Sequence, residues 1–154
     1  MSGNELAIVI DCNEPPYCPP DWEVVEHKPL GLISPSAITL YRSPNVVTRR
    51  VGERWLQQRR RCIFGAELCT ELEGHPQLNA CFIDFYLDNP ELAPQEWGEL
   101  SVFGTGTRFR HPGGGIYVAC LRRRFNGAGL QREFRWIGHA FLETDPVALV
   151  NGVN

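Results

Sequence analysis

Three successive segments, residues 100–110, 116–125 and 130–137, are rich in β-branched, aromatic and other apolar side chains, as strands usually are. Two glycine-containing segments, residues 111–115 and 126–129, separate them. Because glycine adopts the positive φ that tight reversals require, each strand can turn back beside the one before it. The pattern predicts a three-stranded antiparallel meander, and it restricts the chain to folds that are built on a sheet.

The 154 residues are expected to form a single domain, residues 1–154, because a chain of this length buries about 70% of the surface that its unfolded form exposes. Hydrophobic runs and turn signals predict further strands over residues 5–11, 22–27 and 38–42, and helices over residues 66–73 and 79–87. The expected fold is α+β: a mostly antiparallel sheet with a C-terminal three-stranded meander and a short helical region packed on one of its faces.

Two connecting segments have no clear strand pattern. Residues 90–97 are expected to form a tight connection with one helical turn that begins at Pro94 and places Trp97 in the core. Residues 49–61 carry a weak helical stripe and many arginines, so a helix and a long exposed loop both remain open. We make no assignment for residues 44–62.

Charge alternates in blocks along the chain. Residues 1–41 contain six acidic residues against one lysine, and residues 62–107 contain eight acidic residues and no basic one. Residues 42–61 and 108–135 each contain seven arginines against one glutamate. Alternating blocks within one domain can pair with each other, so we favour internal or solvent-facing ion pairs over a dedicated anion site.

The basic block on the meander supplies the candidate ligand-binding residues. All of them lie on the last two predicted strands, where arginine and aromatic side chains are interleaved: Arg122, Arg123, Arg124, Arg132, Arg135 and Trp136. Such a surface suits base stacking and phosphate pairing. The interpretation that we favour places Phe134 and Trp136 against the helices as core and leaves Arg135 in solvent, because a pI near 5.8 is low for a dedicated nucleic-acid binder.

The cysteine and histidine residues could in principle form disulfides, a metal site or a catalytic site. The six cysteines are expected to be reduced in a cytoplasmic protein, since residues 1–10 show neither a signal peptide nor a membrane span and the cysteine spacings match no zinc or redox motif. Cys12 and His27, with Asp11 or Glu26, would be the residues of a cysteine-dependent enzyme. We favour a buried cysteine and a strand-edge histidine, and expect no catalytic residues, metal or cofactor.

The chain also resembles a family of small uncharacterised bacterial proteins carried on mobile elements, including integron gene cassettes. The resemblance rests on residues 11–12, 22–27, 67–80, 84–85, 90–92, 96–97, 103–105, 118–121 and 145–146. These motifs belong to turns and packing, and the resemblance implies no activity. The arginine runs 59–61 and 122–124 depart from the family pattern.

The expected function is that of a small cytoplasmic binding or interaction protein of unknown ligand, encoded on a gene cassette. Nucleic-acid binding through the arginine and aromatic sheet surface is the alternative, and a cysteine-dependent enzyme is the second alternative. A protein or an anionic ligand would be the partner; a membrane is not expected. A two-fold homodimer is expected as well, because residues 130–137 lack the proline that would block pairing at a sheet edge.

Overall fold

The computed structural model describes residues 8–52, 58–124 and 129–151. Its strands are β1 (Ile10–Asp11), β2 (Glu23–His27), β3 (Leu32–Ile33), β4 (Ile38–Tyr41), β5 (Val47–Val51), β6 (Gln58–Phe64), β7 (Val102–Arg110), β8 (Ile116–Arg123), β9 (Leu130–Trp136), β10 (Ala140–Leu142) and β11 (Val147–Val150). Its helices are α1 (Gly65–Glu71) and α2 (Cys81–Asp88), with 3-10 turns at Pro35–Ala37, Pro90–Leu92 and Gln95–Trp97.

A six-stranded sheet forms the body of the molecule and confirms the predicted meander. Its strand order is β4-β11-β7-β8-β9, and β2 pairs with residues 107–110 of β7. All of these pairs are antiparallel except β11 with β7. The strand predicted over residues 5–11 is short, at Ile10–Asp11, and its residues 5–7 lie outside the described residues. The fold is α+β, as predicted.

The two helices cover opposite faces of this sheet, whereas the sequence pattern suggested one face. Successive strand residues point to opposite sides, and Val102 and Phe103 accordingly enter different cores. The first core holds Phe82, Ile83 and Tyr86 of α2. In the second core, Leu68 and Leu72 at α1 meet Ile63 and Phe141 from the smaller sheet. These helix residues are buried, whereas Trp97, which was expected in the core, is only partly buried at the margin of the first core.

A local distortion of β7 brings the segment before α2 close to the sheet. The pairing of β7 with β8 shifts between Gly104 and Phe109, and Gly106 N–H donates to Leu78 O at 2.9 Å. A Cβ on Gly106 would lie 2.9 Å from that oxygen, so only glycine permits this approach. These glycines serve backbone packing between strand and helix.

The described parts of residues 49–61 lie in strands β5 and β6, so both structures considered there, a helix and a long exposed loop, were wrong for them. Residues 53–57 of that segment lie outside the described residues. β5 pairs antiparallel with β6, and β10 pairs with the other edge of β6 at Cys62–Phe64. The weak helical stripe was overridden by strand pairing on both edges of β6 and by Ile63, which is anchored in the second core. Two residues of that stripe, Trp55 and Leu56, lie outside the described residues. No helix in the described ranges is long and apolar enough to span a membrane.

Candidate functional site: the arginine ribbon

The outer part of the β5–β6 strand pair, which we name the arginine ribbon, comprises β5 and residues 58–61 of β6. Along it Arg50 faces Arg59, and Arg49 faces Arg60. From Gln58 to Arg61 the described sheet has only these two strands, since β10 pairs with β6 only at Cys62–Phe64. Directly opposed like charges on a sheet repel each other and destabilise the pairing. This arrangement therefore concentrates positive charge on an exposed element.

Only part of this charge is neutralised internally. Arg49 donates two hydrogen bonds to the carboxylate of Glu67, at 3.0 and 3.3 Å, and Arg61 pairs with Glu143. Arg50, Arg59 and Arg60 are exposed and have no carboxylate partner within the described parts of the chain. As far as the described residues go, these three guanidinium groups have no acidic side chain against them.

A cleft of about 270 Å³ lies beside the ribbon. It is lined by Val51, Gly52, Gln58 and Arg60 at the ribbon, by Ala140 and Leu142 of β10, and by Arg135, His139 and Asp145. Part of its lining is apolar, and Arg60, which has no carboxylate partner among the described residues, brings a positive charge to it. The cleft extends the basic surface inward from the ribbon.

Of the predicted candidates at residues 122–124, Arg122 alone has a carboxylate partner among the described residues. Arg122 donates to Glu133 at 3.3 Å, Arg123 to the backbone oxygen of Pro94 at 3.5 Å, and Arg124 to that of Leu130 at 3.5 Å. Arg122 is thus ion-paired within the chain, whereas Arg123 and Arg124 each contact only a backbone oxygen.

The candidates on β9 divide between the two faces of the strand, as the alternation predicts. Arg132 pairs with Asp84 and lies 4.2 Å from the ring centre of Tyr17. On the other face Arg135 donates to Asp145 at 2.6 Å and lies against the rings of Phe103 and Phe141. Arg135 was expected in solvent; this placement was wrong, because Asp145 is buried and requires a positive partner.

Trp136 was expected in the core, and this was also wrong, since half of its surface is exposed. Its indole lies across two glycines: Cβ atoms built on Gly115 and Gly138 would lie 3.2 and 2.4 Å from it. Phe134, on the same face, packs into the first core as expected. Of the six predicted binding residues, Trp136 is therefore the one that presents an unoccupied aromatic surface.

The cysteine and histidine residues meet in a different pair from the one considered. Cys81 Sγ, and not that of Cys12, lies 3.7 Å from His27 Nε2. Both groups donate to the backbone oxygen of Glu14, the histidine at 3.0 Å and the thiol at 3.2 Å. Because a carbonyl only accepts, Nε2 carries the proton and cannot remove one from the thiol.

The remaining nitrogen of His27 is also engaged. Thr107 Oγ1 accepts from Ala80 N–H at 2.8 Å, and its own proton is directed to His27 Nδ1 at 2.7 Å. Burial, together with nearby groups such as Cys12 and Asp84, raises the pKa of Cys81 to about 12. The pair is a hydrogen-bonded junction between β2, β7 and α2.

Within the described residues, no group of three or more histidine, cysteine and acidic side chains has the arrangement of a metal site. All six cysteines are free thiols. No family model, curated protein or solved structure matches this chain.

Charge counting located the basic block at residues 42–61, but sequence reasoning did not choose it as the site. The usable signal was the short run Val47–Val51, in which two β-branched valines and a threonine flank two arginines. Only the pairing of β5 with β6 places these arginines opposite those of residues 59–61.

Proposed function

We propose that this chain is a cytoplasmic binding protein that holds the phosphate backbone of a nucleic acid on its arginine ribbon. The observation that carries the proposal is the facing pair Arg50 and Arg59, both exposed and without a carboxylate partner among the described residues. A bound polyanion would relieve their mutual repulsion, and arginine suits phosphate because it donates in a fixed fork.

The shape of the ribbon supports a nucleic acid over an acidic protein surface. A two-stranded antiparallel ribbon is one of the elements that the major groove of a DNA duplex admits. Arginines at successive positions of β6 point to both faces, so they can reach phosphates on either wall of the groove. Such contacts position the partner without reading its sequence. This surface replaces the β8 and β9 surface as the proposed interface.

A binding role is supported over a cysteine-dependent enzyme by the hydrogen bonds of His27 and Cys81, which leave no free base beside the thiol. The cytoplasm is proposed because six free thiols persist in a reducing compartment. The gene-cassette origin is retained as a proposal on the sequence motifs alone.

The test compares two triple variants that remove the same charge. The ribbon variant carries Arg50→Gln, Arg59→Gln and Arg60→Gln; the control carries Arg122→Gln, Arg123→Gln and Arg124→Gln. Binding to a short fluorescent DNA duplex is measured by anisotropy across a salt series. We expect the ribbon variant to bind more weakly and to lose roughly 0.9 from the slope of log K against log salt for each phosphate contact removed.

The control variant should keep the affinity and the salt slope of the parent. Equal losses in both variants would contradict a specific role of the ribbon. Binding of the parent to polyglutamate but not to DNA would replace the nucleic acid with an acidic protein partner.

We also propose that two copies associate through the free edge of β9. An open sheet edge exposes unpaired backbone groups that favour addition of another strand, and two-fold dimers are the commonest closed assembly. β9 pairs only with β8 in the described sheet. Light scattering at micromolar concentration tests this: a mass that stays at 17.4 kDa across a tenfold dilution series would contradict it.

A further inference from the structure

Two hydrogen bonds determine which backbone groups of β9 point away from the sheet. Ile137 N–H donates to Ile116 O at 3.0 Å, and Arg124 N–H donates to Gly129 O at 2.9 Å. Residues 129 and 137 therefore face β8. In an antiparallel pair the backbone N–H and C=O groups of successive residues point alternately toward the partner strand and away from it. Those of residues 131, 133 and 135 therefore also point toward β8, while those of residues 130, 132, 134 and 136 point outward.

The centre of this edge is free. Within the described residues, the backbone groups of Arg132 and Phe134 make no hydrogen bond to any element outside the strand. The Trp136 carbonyl accepts from His139 N–H at 2.9 Å and keeps a second lone pair. A strand that is added here would find donors and acceptors in the order that an antiparallel ladder requires.

Exposed aromatic residues lie near both ends of this edge, on the same face of the sheet. Trp136 is 50% exposed and Tyr17, which lies over the guanidinium of Arg132, is 47% exposed. Arg132, Phe134 and Trp136 share this face because side chains alternate along β9. Large exposed aromatics beside an open edge are typical of an interface.

We propose that two copies pair β9 with β9 in antiparallel orientation about a two-fold axis at Phe134. The inference rests on the proposed self-association and specifies its register. Phe134 then faces Phe134 of the second copy, Arg132 faces Trp136, and Glu133 faces Arg135.

Charge eliminates the neighbouring registers. Hydrogen bonds form only where residues with outward backbone groups lie opposite each other in the two copies. The two-fold axis must therefore pass through a residue of β9 and not between two residues. An axis at Arg132, Glu133 or Arg135 places that residue opposite its own copy, and like charges directly opposed are unfavourable. Within Arg132–Arg135, the axis at Phe134 alone avoids this clash.

The selected register is favourable at each pair. Arg135, held by Asp145, has further N–H groups with which to meet Glu133 of the second copy. Trp136 of one copy comes next to Arg132 and Tyr17 of the other. The two aromatic side chains, each about half exposed in the single chain, would therefore be covered in the dimer. The sheet continues across the axis with α2 on the same face in both copies.

The test uses two substitutions of opposite charge at the exposed position 136. Trp136→Glu and Trp136→Lys remove the same aromatic surface, but in this register each new side chain faces Arg132 of the second copy. Dimer dissociation constants are measured by analytical ultracentrifugation at low and high salt. We expect the dimer dissociation constant of the lysine variant to be at least about tenfold higher than that of the glutamate variant, because lysine repels Arg132. This difference should shrink in high salt.

Overall charge acts in the opposite direction. The parent has a formal charge of −3, so the lysine variant has −3 + 1 = −2 and the glutamate variant −3 − 1 = −4. General repulsion between copies would therefore weaken the glutamate variant more. Leu32→Lys, at an exposed apolar residue on β3, should leave the dissociation constant unchanged.

The outcomes separate the register from the association itself. A dimeric parent whose two variants dissociate equally, or whose glutamate variant is the weaker, overturns the register while self-association stands. A parent that remains at 17.4 kDa overturns both. Concentration-dependent protection of the Arg132 and Phe134 amides against hydrogen exchange is expected, and its absence in a dimer would assign another edge.

Discussion

The phenol of Tyr41 donates a 2.7 Å hydrogen bond to the carboxylate of Glu71, which fastens the end of β4 to the last turn of α1. Ser43 donates to the same carboxylate at 2.9 Å, and Asn45 donates to it as well. Burial alone would raise the pKa of Glu71, but these hydrogen bonds lower it below its ordinary value of 4.5. The loop between β4 and the arginine ribbon is thus held by one ionised group.

This arrangement predicts a pH dependence of stability. A lowered folded-state pKa means that the stabilisation is present in full above pH 4.5 and is lost as the pH falls through the folded-state pKa. Glu71→Gln should cost about 1 to 3 kcal/mol at neutral pH, and this cost should shrink in acid. Urea unfolding between pH 7 and pH 3 measures it. Glu91→Gln, at an exposed position, is the control, and a cost at position 71 that does not change with pH would contradict the prediction.

The second core predicts the effect of shortening a helix side chain. Leu72 is fully buried at the C-terminal end of α1, so Leu72→Ala should reduce the free energy of unfolding by roughly 2 to 5 kcal/mol. Leu32→Ala is the control, because Leu32 is 66% exposed and should change stability little. Equal stability of the Leu72 variant and the parent in urea would refute this packing.

The approach of β7 to the segment before α2 predicts intolerance of a single methyl group. Gly106→Ala would press its Cβ against the backbone of Gln77, Leu78 and Asn79 at 2.9 to 3.0 Å. Because backbone atoms cannot rotate away, we expect a loss of about 1 to 3 kcal/mol in chemical denaturation. Gly113→Ala, where the close neighbour is the side chain of His111, should be milder. Equal effects at both positions would show that the contact at Gly106 relaxes freely.

Thiol reactivity provides a test of the non-catalytic interpretation. Burial, with a nearby carboxylate, raises the pKa of Cys12 to about 11, and burial raises that of Cys81 further, to about 12. The thiolate is the reactive form, so both should react slowly with iodoacetamide at pH 7. Cys18, which is partly exposed, should be modified first of the six. Mass spectrometry of a time course measures the order, and early modification of Cys81 would favour a cysteine-dependent enzyme.

Much of the fold followed from local patterning. The meander was predictable because strand propensity and glycine turns are properties of short segments, and α1 and α2 were predictable from helical spacing between stop signals. Alternation also placed Arg132 and Arg135 on opposite faces of β9. Alternation could not identify the carboxylate that pairs with each arginine. Asp84 reaches Arg132 through the packing of α2, and Asp145 reaches Arg135 from the turn between β10 and β11.

The arginine ribbon shows the limit most clearly. Residues 58–61 have no apolar alternation, and they form a strand because β5 on one edge and β10 at the base provide hydrogen bonds, while Ile63 enters the core. The sequence by itself determined the number and sign of the charges, the turns and the strand faces. Tertiary structure alone decided which arginines found carboxylates and which faced each other, because ion pairing depends on distances between residues far apart in the chain and not on their local order.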